Sequence, residues 1–230
     1  WFGGSFDSNE QDGVCEPNRM GTLQFNLQNF PSPETEIPKF LTEYGIRFMT
    51  IEEPLIDNRL PEHSDLWSRK FVARVNDSEP VTVTRDFRHE GADDHCVWWG
   101  RGGLIDWTNP DARQFWHQQK RLNLGVMGIT SHWLDLGEPE MYYQDALYYG
   151  FPELGKNHHG DIHNVYNLFW AKGVFDGYRN ADNQNRLKQA LGLHQPPRPF
   201  ILSRAGTVGS QRYTAMWSGD VAPNMENLRG

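Results

Sequence analysis

The chain has 230 residues, of which 37% are hydrophobic and 13% aromatic, and its formal net charge is −8. The acidic balance argues against a nucleic-acid backbone as partner, and no apolar run approaches the roughly 20 residues that span a bilayer. The nine tryptophans suit stacking on sugar rings or other flat ligands, although some of them also fill a core of this size.

Neither the ends of the chain nor its cysteines identify a cellular compartment. The chain begins with WFGGSFDSN, without an initiator Met or a signal-peptide pattern, and ends with the polar run NMENLRG. We therefore expect it to be a piece of a longer protein. Cys15 and Cys96 lie far apart without metal-ligand spacing, so free thiols and one disulfide both stay open.

The first predicted helix begins at Ser32-Pro33-Glu34, where a cap residue is followed by proline in the first turn. Gly45 ends this helix. Its apolar stripe consists of Ile37, Phe40, Leu41 and Tyr44. The run IRFMTI (46–51) that follows is predicted to be a buried strand, which Glu52-Glu53-Pro54 terminates.

Residues 57 to about 103 interrupt this alternation of helix and strand. Within them FVARVNDSEPVTVTRD (71–86) alternates apolar and polar residues around Asn76-Asp77-Ser78, which predicts a hairpin. We interpret the whole segment as an excursion inserted between units of the fold.

The regular pattern resumes at Thr108-Asn109-Pro110-Asp111, which is a helix start. Its helical spacing is shown by Phe115, Trp116, Gln119 and Leu122. Gly125 is predicted to close this helix, and VMGITSHWLD (126–135) is the next predicted strand.

Two more helices and two more strands follow. Asp161 is predicted to begin and cap the first of these helices. Its apolar stripe consists of Ile162, Val165, Leu168, Phe169 and Phe175. A polar helix through NQNRLKQALG (183–192) precedes the predicted strands PFILSR (199–204) and TAMW (214–217).

This order of elements indicates an α/β protein with a parallel sheet. Four strands are predicted, and each of them ends in polar residues: Glu52 and Glu53, Asp135, Arg204, and Asp220. In a parallel (β/α)8 barrel the active site is built at the C-terminal ends of the strands. Four polar strand ends in succession therefore favour a TIM-type barrel, of which this chain holds a part.

Asp135 and Asp220 are the candidate catalytic pair. Each follows an apolar strand and stands two or three residues beyond a tryptophan, Trp133 or Trp217. A cap or surface ion pair is the better interpretation of one isolated Asp, but two carboxyl groups flanking one bond suit glycoside hydrolysis. In a retaining enzyme they lie roughly 5–5.5 Å apart, one as nucleophile and the other as acid and base. Arg204 suits holding a carboxylate ionised or binding a sugar hydroxyl.

Long motifs around these residues resemble those of glycoside hydrolase family 31, the α-glucosidase and α-xylosidase family. WLDLGEPE (133–140) resembles the nucleophile motif of the family, and SRAGTVGSQRYTAMWSGD (203–220) resembles its acid/base segment. DWTNPDAR (106–113) and FPSPETEIPKFLTEYGIRFM (30–49) resemble the segments that precede them. The resemblance thus covers nearly the whole chain.

The resemblance implies a retaining mechanism with Asp135 as nucleophile and Asp220 as acid/base, without a metal or cofactor. It implies a pocket for the non-reducing-end sugar formed by Trp133, Arg204 and Trp217, with Phe2 or Trp1 at its rim. The chain would run from about the end of the second barrel strand to the sixth, with the excursion at about 57–103. The expected substrate is an α-linked oligosaccharide or glucan.

Other polar residues have competing interpretations. Glu52 either contacts or supports the substrate, or serves in capping and ion pairing, whereas Glu138 is expected to orient the nucleophile loop by hydrogen bonds. A further polar cluster comprises His158, His159, Asp161 and His163. Its spacing fits no standard metal template, which favours loop and cap roles.

The sequence leaves several activities open. Many family members have Asn two residues after the nucleophile, whereas this chain has Gly137, a variant associated with a bacterial branch that includes transglucosylases and enzymes that cleave sulfosugars. Hydrolysis of α-glucosides is the first hypothesis, and transfer by a 4- or 6-α-glucosyltransferase is the alternative. An α-xylosidase or a sulfosugar glycosidase is also open, the latter less favoured because the sequence shows no obvious cationic clamp for a sulfonate. From another class, a carbohydrate-binding or inactive remnant ranks low because both carboxylates are present.

Overall fold

A computed structural model describes residues 20–76, 79–80, 83–84, 101–139, 145–151, 153 and 157–229. The helices are α1 (Pro33–Tyr44), α2 (Pro61–Ser68), α3 (Pro110–Trp116), α4 (Leu122–Val126), α5 (His159–Arg179), α6 (Ala181–Leu191) and α7 (Met225–Arg229). The strands are β1 (Met49–Glu52), β2 (Leu55–Asp57), β3 (Arg74–Asn76), β4 (Glu79–Pro80), β5 (Val83–Thr84), β6 (Arg101–Leu104), β7 (Ser131–Leu134), β8 (Leu147–Tyr148), β9 (Asn157–His158), β10 (Phe200–Ser203) and β11 (Ala215–Met216). Among the described residues, no helix is both long and apolar enough to cross a bilayer.

A four-stranded parallel sheet in the order β1-β7-β10-β11 forms the centre of the fold. Leu134 at the end of β7 lies opposite Glu52 on one side and Ser203 on the other, and Ser203 in turn lies opposite Met216. α-Helices lie between β1 and β7 and between β7 and β10, as predicted for βα units, whereas β10 and β11 are joined by a loop with one 3-10 turn, Ser210–Arg212. The register brings the C-terminal ends of all four strands to one edge.

The segment between β1 and α3 lies outside the parallel sheet. It contributes β2, β6 and β5 to one antiparallel sheet, and β3 and β4 to a second one that also contains β8 and β9. The predicted hairpin is confirmed, because Arg74 of β3 pairs antiparallel with Pro80 of β4.

The helix ends follow the local signals in the sequence. Asn109 caps α3, because its side chain accepts a hydrogen bond from the backbone N–H of Asp111 at 2.9 Å. Gly45 and Gly192 end α1 and α6 in the left-handed conformation, with φ of 66° and 63°, where a residue with a Cβ is strained.

The predicted strand over 126–135 is too long. The helix that begins with α3 continues through a π-helical segment, His117–Arg121, into α4 and ends at Val126. Gly128, with φ of 99°, then donates its N–H to the carbonyl of Gly125 at 2.8 Å. The apolar run before Ser131 therefore closes a helix, and only the last four residues before Asp135 form the strand.

Helix α5 also differs from its prediction. It begins at His159, two residues before Asp161, and the Asp161 carboxylate accepts a hydrogen bond from the His158 backbone N–H at 3.1 Å. Its most buried apolar face is a row at i, i+4 spacing, which comprises Ile162, Tyr166, Trp170, Val174 and Tyr178. The predicted stripe residues other than Ile162 are only half-buried, because they flank this row.

A buried ion cluster lies where the sheet meets its helices. The Arg121 Nε donates to both carboxylate oxygens of Glu52, at 2.8 and 2.9 Å, and the Nδ1 of His132 lies 2.6 Å from Glu52 Oε1. The other ring nitrogen of His132 is 2.7 Å from the Tyr178 hydroxyl. The Arg121 guanidinium also lies over the ring of Trp107, 5.1 Å from its centroid.

The cluster keeps Glu52 ionised. Burial by itself raises the pKa of this carboxyl, but the positive charge of Arg121 and the interaction with His132 outweigh burial and hold the pKa at about 2. Glu52 is therefore a structural carboxylate that fastens β1 to β7 and to the helix before β7.

We expect Glu52→Gln to lower the free energy of unfolding at pH 7 by about 3 kcal/mol, because it leaves Arg121 without a counter-charge in the core. The pKa of Glu52 is about 2 in the fold against 4.5 as its ordinary value. Its carboxylate therefore stabilises the fold above pH 4.5, and this contribution is lost as the pH falls from 4.5 towards 2.

Denaturant unfolding of both proteins between pH 7 and pH 2 measures this effect, and the stability gap between them should close at the acidic end. Glu36→Gln is the control, because it removes an exposed ion pair with Lys39 and should cost less than about 1 kcal/mol. A gap of constant size over the whole range would contradict the assignment.

Candidate active site

The residues that directly follow the parallel strands are held in place by their own backbones. Three N–H groups donate to carbonyls at or near the end of the neighbouring strand: Asp135 to Glu52 at 3.0 Å, Arg204 to Leu134 at 3.2 Å, and Trp217 to Ser203 at 3.4 Å. The pairing of the sheet thus extends one residue beyond each strand. It carries an acid, a guanidinium and an indole to the same edge.

An arginine with two carboxylates forms the centre of this edge. Arg204 donates from Nε and Nη2 to the two carboxylate oxygens of Glu138, both at 2.8 Å, a bidentate geometry that fixes the guanidinium plane. The Nε also lies 3.4 Å from Asp135 Oδ1. Asp135 Oδ1 also accepts a hydrogen bond from the backbone N–H of Leu136 at 3.0 Å. Leu136 itself has a positive φ of 58°. One oxygen of Asp135 is thereby oriented.

The two tryptophans meet above the sheet edge. The rings of Trp133 and Trp217 pack edge to face, with centroids 5.2 Å apart. A Cβ added to Gly219 would lie 3.7 Å from the Cδ of Arg204, so the segment that leads to Asp220 runs along the arginine stem. Asp220 itself is exposed.

The charges of the site act on Asp135 in both directions. Burial raises the pKa of its carboxyl, and the negative charges of Glu138 and Asp220 raise it further. The Arg204 guanidinium and the Leu136 N–H oppose this rise. Asp220 is therefore close enough to influence Asp135, although 85 residues separate them in the sequence (220 − 135).

Six of the candidate site residues lie together at this edge: Asp135, Asp220, Trp133, Arg204, Trp217 and Glu138. The hydrogen bonds of Glu138 agree with the orienting role expected for it. Phe2, and Trp1 beside it, lie outside the described residues. The catalytic and binding roles of all these residues stay predictions.

The assignment of Glu52 to substrate binding is wrong. Its side chain is 2% exposed and is occupied by Arg121 and His132. Alternate residues of a strand face opposite sides of a sheet, and Glu52 shares the helix-facing side with His132 of the next strand. Trp133 faces the other side. The alternative expected for Glu52, ion pairing within the fold, is the correct one.

The histidine cluster takes part in packing. His159 Nδ1 lies 3.0 Å from the Tyr148 hydroxyl, and burial, with the nearby His163, lowers the pKa of His159 to about 4. Asp161 caps the helix from its first turn. Within the part of the chain that the structure describes, no three His, Cys, Asp or Glu side chains are grouped so as to hold a metal ion.

One contributor to the site had not been identified from the sequence. Asn167 of α5 is 4% exposed, and its Nδ2 donates to the Ser203 hydroxyl and to the Ala205 carbonyl, on either side of Arg204. The only signal for it in the sequence is a polar residue within the apolar and aromatic run 165–171 of the helix, next to Tyr166.

Comparison with known proteins gives a consistent result. A family model described as the TIM-barrel domain of glycosyl hydrolases family 31 matches residues 6–230. The chain is 30% identical over 214 residues to neutral alpha-glucosidase AB of Dictyostelium discoideum, covering 87% of this chain and 19% of that protein. The chain spans about a fifth of the length of the curated relatives it matches.

Solved structures of the same family superpose on the chain. The Tris-bound glucosidase II alpha subunit does so with a TM-score of 0.68 at 25% identity, covering 90% of this chain and 20% of that one. A GH31 alpha-xylosidase from a soil metagenome, complexed with xylose, gives 0.65 at 25% identity, covering 91% and 27%. The predicted TIM-barrel fold is confirmed.

Two variants should move the pKa of Asp135 in opposite directions. Arg204→Gln removes the positive charge that lowers it, so we expect the pKa to rise. Glu138→Gln removes a negative charge that raises it and keeps a hydrogen-bonding partner for Arg204, so we expect the pKa to fall.

Carbon-13 NMR titration of the Asp135 carboxyl measures both shifts without any assumption about activity. Asp182→Asn, at the exposed start of α6, is the control and should leave the titration unchanged. A shift of the same sign in both variants would contradict the charge arrangement.

Proposed function

The chain belongs to glycoside hydrolase family 31, and we propose that it carries the catalytic pair of a retaining α-glycosidase. The proposed reaction releases the sugar at the non-reducing end of α-glucosides or α-glucans by double displacement. The observation that supports this best is the convergence of two strand ends. Asp135 lies beside Arg204, and the negative charge of Asp220 raises the pKa of Asp135.

In the proposed first step, the Asp135 carboxylate attacks the anomeric carbon while the protonated Asp220 gives its proton to the glycosidic oxygen. The bond from the anomeric carbon to that oxygen breaks, and the leaving group departs as an alcohol. The product is a glycosyl ester on Asp135 with inverted configuration.

In the second step, the Asp220 carboxylate takes a proton from water, and the water oxygen attacks the same carbon. The ester bond to Asp135 breaks, so the sugar leaves with its original configuration and both carboxyl groups return to their starting states. The exposure of Asp220 suits this role, because the residue must meet the leaving group and then water.

The partners of Asp135 suit a nucleophile. Burial alone would favour its neutral form, which cannot attack, and Arg204 with the Leu136 N–H works against this. Oδ1 of Asp135 lies 3.4 Å from the Arg204 Nε and 3.0 Å from the Leu136 backbone nitrogen. Among the contacts within the described residues, Oδ2 has neither of these partners. We propose that Oδ2 is the attacking atom.

The aromatic pair suits a sugar-binding wall. The rings of Trp133 and Trp217 pack edge to face and together form one aromatic surface at the sheet edge. C–H groups of a pyranose ring pack well on such a surface. Within the described part of the chain the buried indole N–H of Trp133 makes no hydrogen bond. We keep Arg204, Glu138 and, beyond the described residues, Phe2 as further proposed binding residues.

Glucose is the proposed sugar because the relatives matched along the chain are named as α-glucosidases. An α-xyloside is the natural comparison substrate, since one superposed structure is an alpha-xylosidase. Release from the xyloside in preference to the glucoside would change the sugar and leave the mechanism as proposed.

The roles of the two acids are separable with α-glucosyl fluoride, whose leaving group needs little help from a proton. We expect Asp220→Ala in the full-length protein to lose activity on alkyl glucosides, by about 100-fold or more, and to retain formation of the glycosyl-enzyme from the fluoride. Asp135→Ala should lose both. Rapid-mixing kinetics and the mass of the intact protein measure the two outcomes.

Asp176→Asn, on the outer surface of α5, is the matched control and should behave as wild type. Retention of fluoride turnover by Asp135→Ala would show that Asp135 is not the nucleophile. A folded wild-type protein without turnover of any α-glycoside would instead favour the inactive or merely sugar-binding alternative.

Hydrolysis and transfer differ only in whether water or a second sugar attacks the ester. We expect hydrolysis of maltooligosaccharides to give glucose and chains shortened at the non-reducing end. Product analysis by mass at increasing substrate concentration is the measurement. Products longer than the substrate from the outset would identify a transglucosylase.

A further inference from the structure

We propose that Asn167 is a positioning residue of the site, which sets the spacing between the loop after β7 and the loop after β10, and that Gly137 is glycine because this amide occupies the space of its side chain. The proposal rests on the proposed function for its effect on catalysis. Its structural part, the coupling of Asn167 to Gly137, stands without it.

The amide of Asn167 is hydrogen-bonded to the residues on both sides of Arg204. Its Nδ2 donates to Ser203 Oγ at 2.7 Å and to the Ala205 carbonyl at 2.6 Å. The Ser203 hydroxyl also donates to the Ala205 carbonyl, at 2.9 Å, so the three groups form a closed ring of hydrogen bonds. Arg204 lies between the two bonded residues and has little freedom to shift along the strand direction.

The opposite side of the same amide packs on the nucleophile loop. A Cβ added to Gly137 would lie 2.1 Å from Asn167 Oδ1 and 3.2 Å from Trp170 Cε3. The first distance is far below van der Waals contact. Gly137 does not have a positive φ, so lack of space, rather than backbone conformation, explains the glycine.

The two loops that Asn167 touches carry the ion pair of the site. Gly137 precedes Glu138, and Arg204 lies between the two residues that Asn167 bonds. The bidentate contact between Glu138 and Arg204, at 2.8 Å, therefore joins these two loops. The Asn167 amide contacts both loops and sets the distance between them. Because Arg204 also orients Asp135, a shift of either loop is transmitted to the proposed nucleophile.

The two groups of the amide act differently: Nδ2 makes the hydrogen bonds, whereas Oδ1 makes none among the described residues and fills the space beside Gly137. A leucine has a similar shape but cannot donate to Ser203 or Ala205, and an aspartate would place negative charge against the Ala205 carbonyl oxygen. A smaller residue would release the contact with Gly137. Asparagine supplies both the two-fold donor and the matching shape, and loss of the donor would leave the Ala205 carbonyl with one hydrogen bond fewer.

The coupling is tested by a double-mutant cycle in thermal unfolding. We expect Gly137→Ala to lower the melting temperature by about 5 °C because of the clash. In the Asn167→Ala background the same change should cost much less, since its methyl group enters the vacated space. Equal costs in both backgrounds would overturn the spatial part of the proposal.

The catalytic part is tested by pH profiles of kcat/KM in the full-length protein. We expect Asn167→Ala and Asn167→Asp to lower kcat by about tenfold or more. We also expect the acidic limb to move to higher pH, because a displaced Arg204 no longer favours the charged form of Asp135. Asn167→Ser, which keeps one donor, should recover part of the activity.

Asn183→Ala is the matched control. Asn183 is also a buried asparagine, 3% exposed, and its Nδ2 donates to the Gly177 carbonyl at 2.8 Å, but it lies on α6 away from the strand ends. We expect this variant to lose stability without moving the pH profile. If Asn167→Ala lowers stability and leaves the profile unmoved, as this control does, Asn167 is structural only and the positioning role is wrong.

The failure of the proposed function would be recognised separately. In that case the wild-type protein turns over no α-glycoside, while the double-mutant cycle still reports whether Asn167 and Gly137 are coupled. Should Asn167→Ala fail to fold alone, the cycle is run in the Asn167→Ser background, where the smaller side chain also leaves the space beside Gly137 while keeping one donor. An equal cost of Gly137→Ala in the wild-type and Asn167→Ser backgrounds would contradict that coupling.

Discussion

The parallel register of four strands is the constraint on which the rest of the molecule depends. Each strand ends beside its neighbour, and the next residue continues the hydrogen bonding by one step, as Asp135 does with Glu52 and Arg204 with Leu134. Because neighbouring parallel strands run in the same direction, their C-terminal ends lie at the same edge of the sheet. Every polar residue that directly follows a strand therefore lies at that edge. The chemistry of the site thus follows from backbone pairing before any side chain is placed.

Because side chains alternate between the two faces of a sheet, the charged residues at the strand ends divide into two groups with different roles. On the helix-facing side, Glu52 has its acceptors filled by Arg121 and His132 and a pKa of about 2. On the other side, Asp135 is only half-buried, and its pKa is raised by burial and by neighbouring negative charges against the pull of Arg204. A carboxylate locked in the first way stabilises the fold and takes no part in proton transfer or attack. A carboxylate balanced in the second way is suited to react.

Helix α5 connects these two roles. Its aromatic residues Tyr178 and Trp170 pack near the ion cluster below the sheet, and Asn167, further towards its N-terminus, reaches the loops above it. One rigid element therefore supports both the buried cluster and the edge of the sheet. This helix is 21 residues long, and a rigid secondary element of that kind can couple the packing of the core to the loops at the sheet edge.

The sequence by itself determined both ends of α1, the start of α3 and the end of α6, because the cap Asn109 and the left-handed Gly45 and Gly192 are local features. It also determined that Asp135 and Arg204 directly follow strands, which was enough to locate the edge of the site. Only the tertiary structure decided which side of the sheet Glu52 faces and which face of α5 is buried. The physical reason is that side chains alternate across a strand, so a shift of one residue exchanges the two sides, and the register that fixes this belongs to the partner strand. The role of Asn167 depends in the same way on residues 30 or more positions away in the chain, which no local pattern contains.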